Sequence, residues 1–156
     1  MKLGFIGFGG AGFGLAKGLR QAGLEEVHFF DKMQEIRPYA DVICRHAAET
    51  GAIREPSVGE LVGCANVLIS CVTGAMALSV AGEAAPFLTA NHLYADVNTA
   101  SPSVKVGVAT TVEKTGAEKI TINSANTRAH ECRTDSIKLT SPQLANRQCL
   151  QNPNLG

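Results

Sequence analysis

Gly7, Gly9 and Gly12 are spaced as G-x-G-x-x-G, and six of the eleven residues from Gly4 to Gly14 are glycine. Glycine loses the most backbone entropy on folding, so this density must serve unusual backbone angles or close approach. Where such a turn joins a strand to a helix, unpaired N–H groups gather at the helix start and the dipole there favours anions. The first glycine permits the tight turn, the second lets backbone approach a pyrophosphate, and the third lets the helix pack on the sheet. Asp31 follows Gly12 by nineteen residues, close to the separation of about 20 at which an acidic residue meets ribose hydroxyls. The candidate contacts to a dinucleotide are therefore Gly7, Phe8, Gly9, Gly10, Ala11 and Gly12, with Asp31 and Lys32.

The motif carries little weight unless a strand precedes it and a helix follows. "KLGFIGF" is a short apolar run ending in glycine and reads as a buried strand. From Ala11, the positions Leu15, Ala16, Leu19 and Ala22 recur at helical spacing, and Gly23 is a stop. "EEVHFFD" is a second strand, ending at Asp31. Tyr39 to Thr50, between Pro38 and Gly51, reads as a helix, and Ser57 with Glu60 forms a capping box for another. "NVLISCV" is an apolar strand with both faces covered. Ala75 to Leu88 is helical, broken near Pro86; "HLYADV" is a strand. A helix then starts at Pro102 behind Ser101 and stops at Gly116. "KITIN" (Lys119–Asn123) is the last strand. This alternation predicts an α/β fold of Rossmann type, a doubly wound parallel sheet with crossover helices.

A class I methyltransferase also places a glycine-rich turn after its first strand and an acid after its second, so S-adenosylmethionine is the alternative ligand. A purely structural turn is another reading. A kinase glycine loop joins two strands, and a helix follows here. Cys44-x-His46 and His130-x-Cys132 are isolated pairs, too few for a four-ligand zinc site. His28 and His92 lie in or beside strands and read as structural, and Cys64 and Cys71 read as small core hydrophobes. No metal site and no catalytic residue is assigned. Net charge is zero with no basic run, which argues against nucleic-acid and membrane-surface partners. Five irregularly spaced cysteines are not a disulfide framework, and a cytoplasmic setting is the simplest expectation.

Taken together, Gly7, Gly9, Gly12, Ala16, Leu19 and Gly23 match G-x-G-x-x-G-x-x-x-A-x-x-L-x-x-x-G. On these residues the chain resembles the NAD(P)-binding domain of the 3-hydroxyisobutyrate and 6-phosphogluconate dehydrogenase superfamily of oxidoreductases. "LYADVNTASP" is similar to that family's D-x-S-T-x-x-P segment, with Asp96, Thr99 and Pro102 in place and Asn98 where serine is usual. The resemblance implies NAD or NADP as cofactor, Val72 and Thr73 near a ribose, and Thr99 at the nicotinamide end. It implies a small-molecule substrate for the full-length family. Asp31 favours NAD, because a carboxylate repels a 2′-phosphate; Lys32 and Arg37 blunt that preference.

The resemblance covers residues 2–118. The family's all-helical second domain, with its catalytic lysine, is not recognisable. Residues 1–123 are thus expected to form the dinucleotide-binding domain. Residues 124–156 are polar, without sustained periodicity, and are expected to be disordered or loosely packed. A truncation or a shifted reading frame would produce such a change. The expected chain is a cofactor-binding module that does not turn over by itself. Lys119 and Asn123, four apart on a strand, would be about 13 Å apart and could not share one substrate carbon.

Overall fold

The computed structural model describes residues 2–121. They belong to one compact unit, Met1–Asn126; the other, Thr127–Gly156, lies outside the described residues, as does the expectation for residues 124–156. In chain order the elements are β1 (Leu3–Ile6), α1 (Gly10–Gln21), β2 (Val27–Phe30), α2 (Tyr39–Thr50), β3 (Ile53–Arg54) and α3 (Val58–Cys64). Then follow β4 (Val67–Ser70), α4 (Ala77–Ala84), β5 (Leu93–Asp96), α5 (Pro102–Glu113) and β6 (Glu118–Thr121). The strands form one sheet in the order β3-β2-β1-β4-β5-β6, and every pairing is parallel. This is the doubly wound Rossmann order. The chain moves outward from β1 to β3, then returns past β1 to build the other half. Neighbouring strand ends diverge at β1 and β4, where open α/β sheets form their crevices.

Parallel strands are covered on both faces, and the side chains of β1 divide accordingly. Leu3 and Phe5 join Phe8, Val27, Phe29 and Ile43 in a core beneath α1 and α2. Ile6 joins Leu61, Leu68, Val80, Val108 and Val112 beneath α3, α4 and α5. Phe8 stacks on Phe29 at 4.1 Å between ring centroids, a contact worth about 0.5–1.5 kcal/mol beyond its buried area.

Several helix ends follow the local chemistry. The Glu60 N–H donates to Ser57 Oγ at 3.1 Å, capping α3. Gly51 closes α2 in the left-handed region at φ 66°. Ser101 precedes α5, but its hydroxyl makes no cap hydrogen bond and lies 3.1 Å from that of Ser103. Other features depart from the sequence pattern. In α1 the buried residues are Gly12 and Ala16, while Leu15 is 42% exposed and Ala22 is exposed as well. The helix lies so close to the sheet that only small residues fit beneath it. α4 begins at Ala77, because the preceding residues turn, with Met76 N–H donating to the Thr73 carbonyl. Pro86 sits in a single 3₁₀ turn, Ala85–Phe87. β3 has only two residues, both exposed, too short to leave an alternating pattern.

A polar seam crosses the C-terminal ends of β4 and β5. Asp96, Asn98, Ser70 and Lys105 are all buried. Lys105 Nζ lies 3.0 Å from Asp96 Oδ2. Asn98 Nδ2 donates to Ser70 Oγ at 2.9 Å and to Asp96 Oδ1 at 2.7 Å. Its Oδ1 accepts the Val72 N–H at 2.6 Å. Two strand ends, a loop and α5 are thereby tied together with their charges matched. Asn98, where the resembled pattern has serine, both donates and accepts in the seam, as an amide can.

Denaturant unfolding tests these contacts. A Cβ at position 12 would lie 2.3 Å from the Gly7 carbonyl oxygen, a backbone atom that cannot turn away. Gly12→Ala should therefore destabilise the fold by about 3 kcal/mol or more. At Gly9 a Cβ meets nothing within 4 Å, and Gly9→Ala should stay within about 0.5 kcal/mol of the parent. Equal stability of the two variants would contradict this packing. Lys105→Met leaves the Asp96 carboxylate buried without its cation and should lose about 3–5 kcal/mol. Adding Asp96→Asn should restore much of that loss, since the uncompensated charge disappears.

Candidate functional site

A cavity of about 630 Å³ opens at the C-terminal ends of β1, β2 and β4. Its floor is the turn from β1 into α1. Gly7 adopts φ +93°, and a Cβ there would lie 2.5 Å from the Cys71 carbonyl oxygen. The turn is bonded into both neighbouring strands: Gly7 N–H donates to the Phe30 carbonyl, and Cys71 N–H to that of Ile6, each at 2.8 Å. Gly9 is the N-cap of α1, with no side-chain cap and no acidic residue in the first turn. Gly9, Gly10 and Ala11 are exposed and line the cavity. An uncapped helix start facing a cavity presents N–H groups and the positive end of the dipole to whatever enters.

Asp31 and Lys32 follow β2 on the cavity wall. The Asp31 carboxylate holds the glycine turn. Its Oδ2 accepts the Phe8 N–H at 2.7 Å, and its Oδ1 the Met33 N–H at 2.8 Å. Each oxygen keeps a further lone pair. Lys32 Nζ stands 3.7 Å from Glu83 Oε1 of α4, and both side chains line the cavity. Arg37 lies outside the lining, 3.6 Å from Asp41. Val72 and Thr73 form the wall beyond β4. Val42, Met76 and Val80 make the remainder largely apolar.

Eight of the residues singled out from the sequence therefore line one cavity: Gly7, Gly9, Gly10, Ala11, Asp31, Lys32, Val72 and Thr73. Three do not. Phe8 turns its ring into the core, and its N–H is spent on Asp31, so it offers a ligand neither side chain nor donor. Gly12 is buried against Gly7 and serves packing. Thr99 is exposed on the loop after β5, its carbonyl backed against Gly74. Sequence reasoning missed Glu83 and Val80, which reach the cavity from α4, and Met76, which reaches it from the turn just before; none carries a spacing signal.

The lining also contains Cys71. Burial, and secondarily the Asp96 carboxylate, push its thiol up to about 12, so it stays protonated and non-nucleophilic near neutrality. The three described histidines have structural partners. His46 is stacked on Phe13 at 4.2 Å with Nδ1 3.1 Å from the Phe8 carbonyl. His92 Nε2 lies 3.2 Å from the Val62 carbonyl. His28 sits between the carboxylates of Glu26 and Glu55. Lys119 is on β6, paired with Glu113, and Asn123 lies outside the described residues.

No family model matches the chain, and no curated protein does. Solved structures do. 3-Hydroxyisobutyrate dehydrogenase of Mycobacterium tuberculosis, crystallised with L-serine, superposes with a TM-score of 0.67 at 24% identity, over 78% of this chain and 40% of that one. A conserved protein of unknown function, described as structurally similar to 3-hydroxyacid dehydrogenases, matches at 27% identity with a TM-score of 0.61, over 78% and 42%. An imine reductase from Myxococcus stipitatus in complex with NADP+ matches at 17% identity with a TM-score of 0.64, over 78% and 40%. Among the described residues no helix is long and apolar enough to cross a membrane. The chain spans about 40% of the length of these structures, and over that portion it is similar to the 3-hydroxyacid dehydrogenase-like proteins.

Proposed function

We propose that the cavity binds a nicotinamide dinucleotide, as the cofactor-binding part of an oxidoreductase of the 3-hydroxyacid dehydrogenase type. The observation that carries this reading is the uncapped start of α1, exposed at Gly9, Gly10 and Ala11 within reach of the Asp31 carboxylate. The absence of a side chain at Gly9 answers to nothing in the protein, since a Cβ there would stand in open space. It answers instead to a bulky anion approaching the backbone. The pyrophosphate would lie against the Gly9–Ala11 amides, and the adenosine ribose would donate its hydroxyls to Asp31. Val72 and Thr73 would border the ribose toward the reactive end, and Thr99 would stand nearer the nicotinamide. The bound nicotinamide supplies hydride-transfer chemistry; these residues bind and orient it.

The electrostatics favour NAD over NADP. Around the adenosine end stand two carboxylates, Asp31 and Glu83, against one cation, Lys32, already 3.7 Å from Glu83. A 2′-phosphate adds negative charge there and competes with Glu83 for Lys32. The charge of Arg37 is offset by Asp41.

Calorimetric titration of the chain with NAD, NADP and S-adenosylmethionine tests the reading, with NAD expected to bind and S-adenosylmethionine not. Gly9→Val should retain the far-ultraviolet dichroism and melting of the parent while losing dinucleotide binding. Unchanged affinity in a folded Gly9→Val protein would remove the turn from the site. Asp31→Asn keeps an acceptor for the Phe8 N–H but removes the charge. It should weaken NAD and narrow the gap between NAD and NADP severalfold. An unaltered ratio would mean that Asp31 acts only as a brace for the turn.

A further inference from the structure

Away from the cavity, three side chains from separate elements converge where α3 ends beside the sheet. His28 belongs to β2, Glu55 follows β3, and Cys64 is the last residue of α3. One candidate ligand atom from each lies within 4.8 Å of the others. His28 Nδ1 stands 2.7 Å from Glu55 Oε1, with both side chains largely buried. From this arrangement we propose that His28, Glu55 and Cys64 bind a divalent cation of the zinc class.

The donors are an imidazole nitrogen, a carboxylate oxygen and a sulfur, all of which zinc accepts at about 2.0–2.3 Å. A tetrahedral ion at those bond lengths holds its donors about 3.3–3.7 Å apart. The Nδ1 to Oε1 separation must open by less than about 1 Å to meet that, and the sulfur, already within 4.8 Å of both, must draw in by at most about 1.3 Å. Such shifts need only side-chain adjustment. The backbones beneath them are fixed: Glu55 N–H donates to the Phe29 carbonyl at 2.8 Å, and its own carbonyl accepts Gln34 Nε2 at 3.0 Å. His28 is held between β1 and β3, opposite Gly4 and Ile53.

The outer partner of such a site is also present. His28 Nε2 lies 2.6 Å from Glu26 Oε1. With the ion on Nδ1, Nε2–H donates to Glu26, the arrangement that orients metal-bound imidazoles and raises their basicity. Glu26 is half exposed and Cys64 only partly buried, which leaves a fourth position open to water. Binding displaces the Cys64 thiol proton and the proton held between Nδ1 and Glu55. One ion enters, the protons leave to solvent, and no redox change is involved. Sulfur and imidazole exclude magnesium and calcium, which require oxygen donors. None of the three residues lines the cavity, so the site stands apart from the proposed cofactor.

The test uses the full chain, stripped with chelator and titrated with Co²⁺ and with Zn²⁺ against a chromophoric competitor. One ion per chain is expected, with a thiolate-to-cobalt charge-transfer band. Cys64→Ser, nearly isosteric, should abolish that band while the protein remains folded by circular dichroism. Glu26→Gln should weaken zinc by about 10–100-fold. X-ray absorption of the zinc-loaded parent requires no variant and should show a single sulfur among nitrogen and oxygen donors. Absence of uptake, a band that persists in Cys64→Ser, or two sulfurs on the ion would each overturn the assignment.

Discussion

The contact between Gly12 and the Gly7 carbonyl is the constraint from which the site follows. No atom beyond the backbone fits there, so α1 rests directly on the end of β1. The helix start is thereby held at the edge of the sheet, at the point where the β2 and β4 sides diverge. A methyl group at Gly12 would tilt or lift the helix. Its amide groups would then no longer share a cavity with the residues that follow β2 and β4.

Around that contact, side chains from two loops and from α2 hold the backbone in place. Asp31 grips the Phe8 amide from one side, His46 meets the Phe8 carbonyl from another, and Asn98 holds the Val72 amide. These are hydrogen bonds between side chain and backbone, much of each removed from water, where leaving one unmade is expensive. They also divide labour at Phe8. Its ring anchors the turn in the core through Phe29, while its two backbone polar groups are both engaged. Preorganised walls of this kind bind without first having to be ordered.

Much of this was legible in the sequence because it rests on local rules. Glycine spacing, a Ser57 cap and the Gly51 and Gly23 stops act within a few residues, the acid follows directly on the second strand, and the alternation of strand and helix implies a parallel sheet. Other parts depend on distant partners and leave no such trace. Phe8 stands inside the motif, yet its side chain belongs to the core, because the turn rotates it away from the cavity. Lys105 carries no sequence signal of its burial, which depends on Asp96 beside it. Glu83 reaches the cavity only because α4 crosses over it, and the two residues of β3 are a strand solely by pairing with β2.

The register that places Leu3 opposite Val67 has a kinetic side. β1 meets β2 across a span of twenty-four residues, but its other edge must wait for a strand more than sixty residues further along the chain. Closing such a span costs chain entropy before any contact rewards it, so pairing of this range is slow to form. The Gly7 turn is packed against Cys71, which directly follows that distant strand. The turn thus takes its final shape only once that strand has docked. A cavity at this seam exists only when both halves of the sheet have joined, and a ligand held there selects the completed fold over every half-formed one.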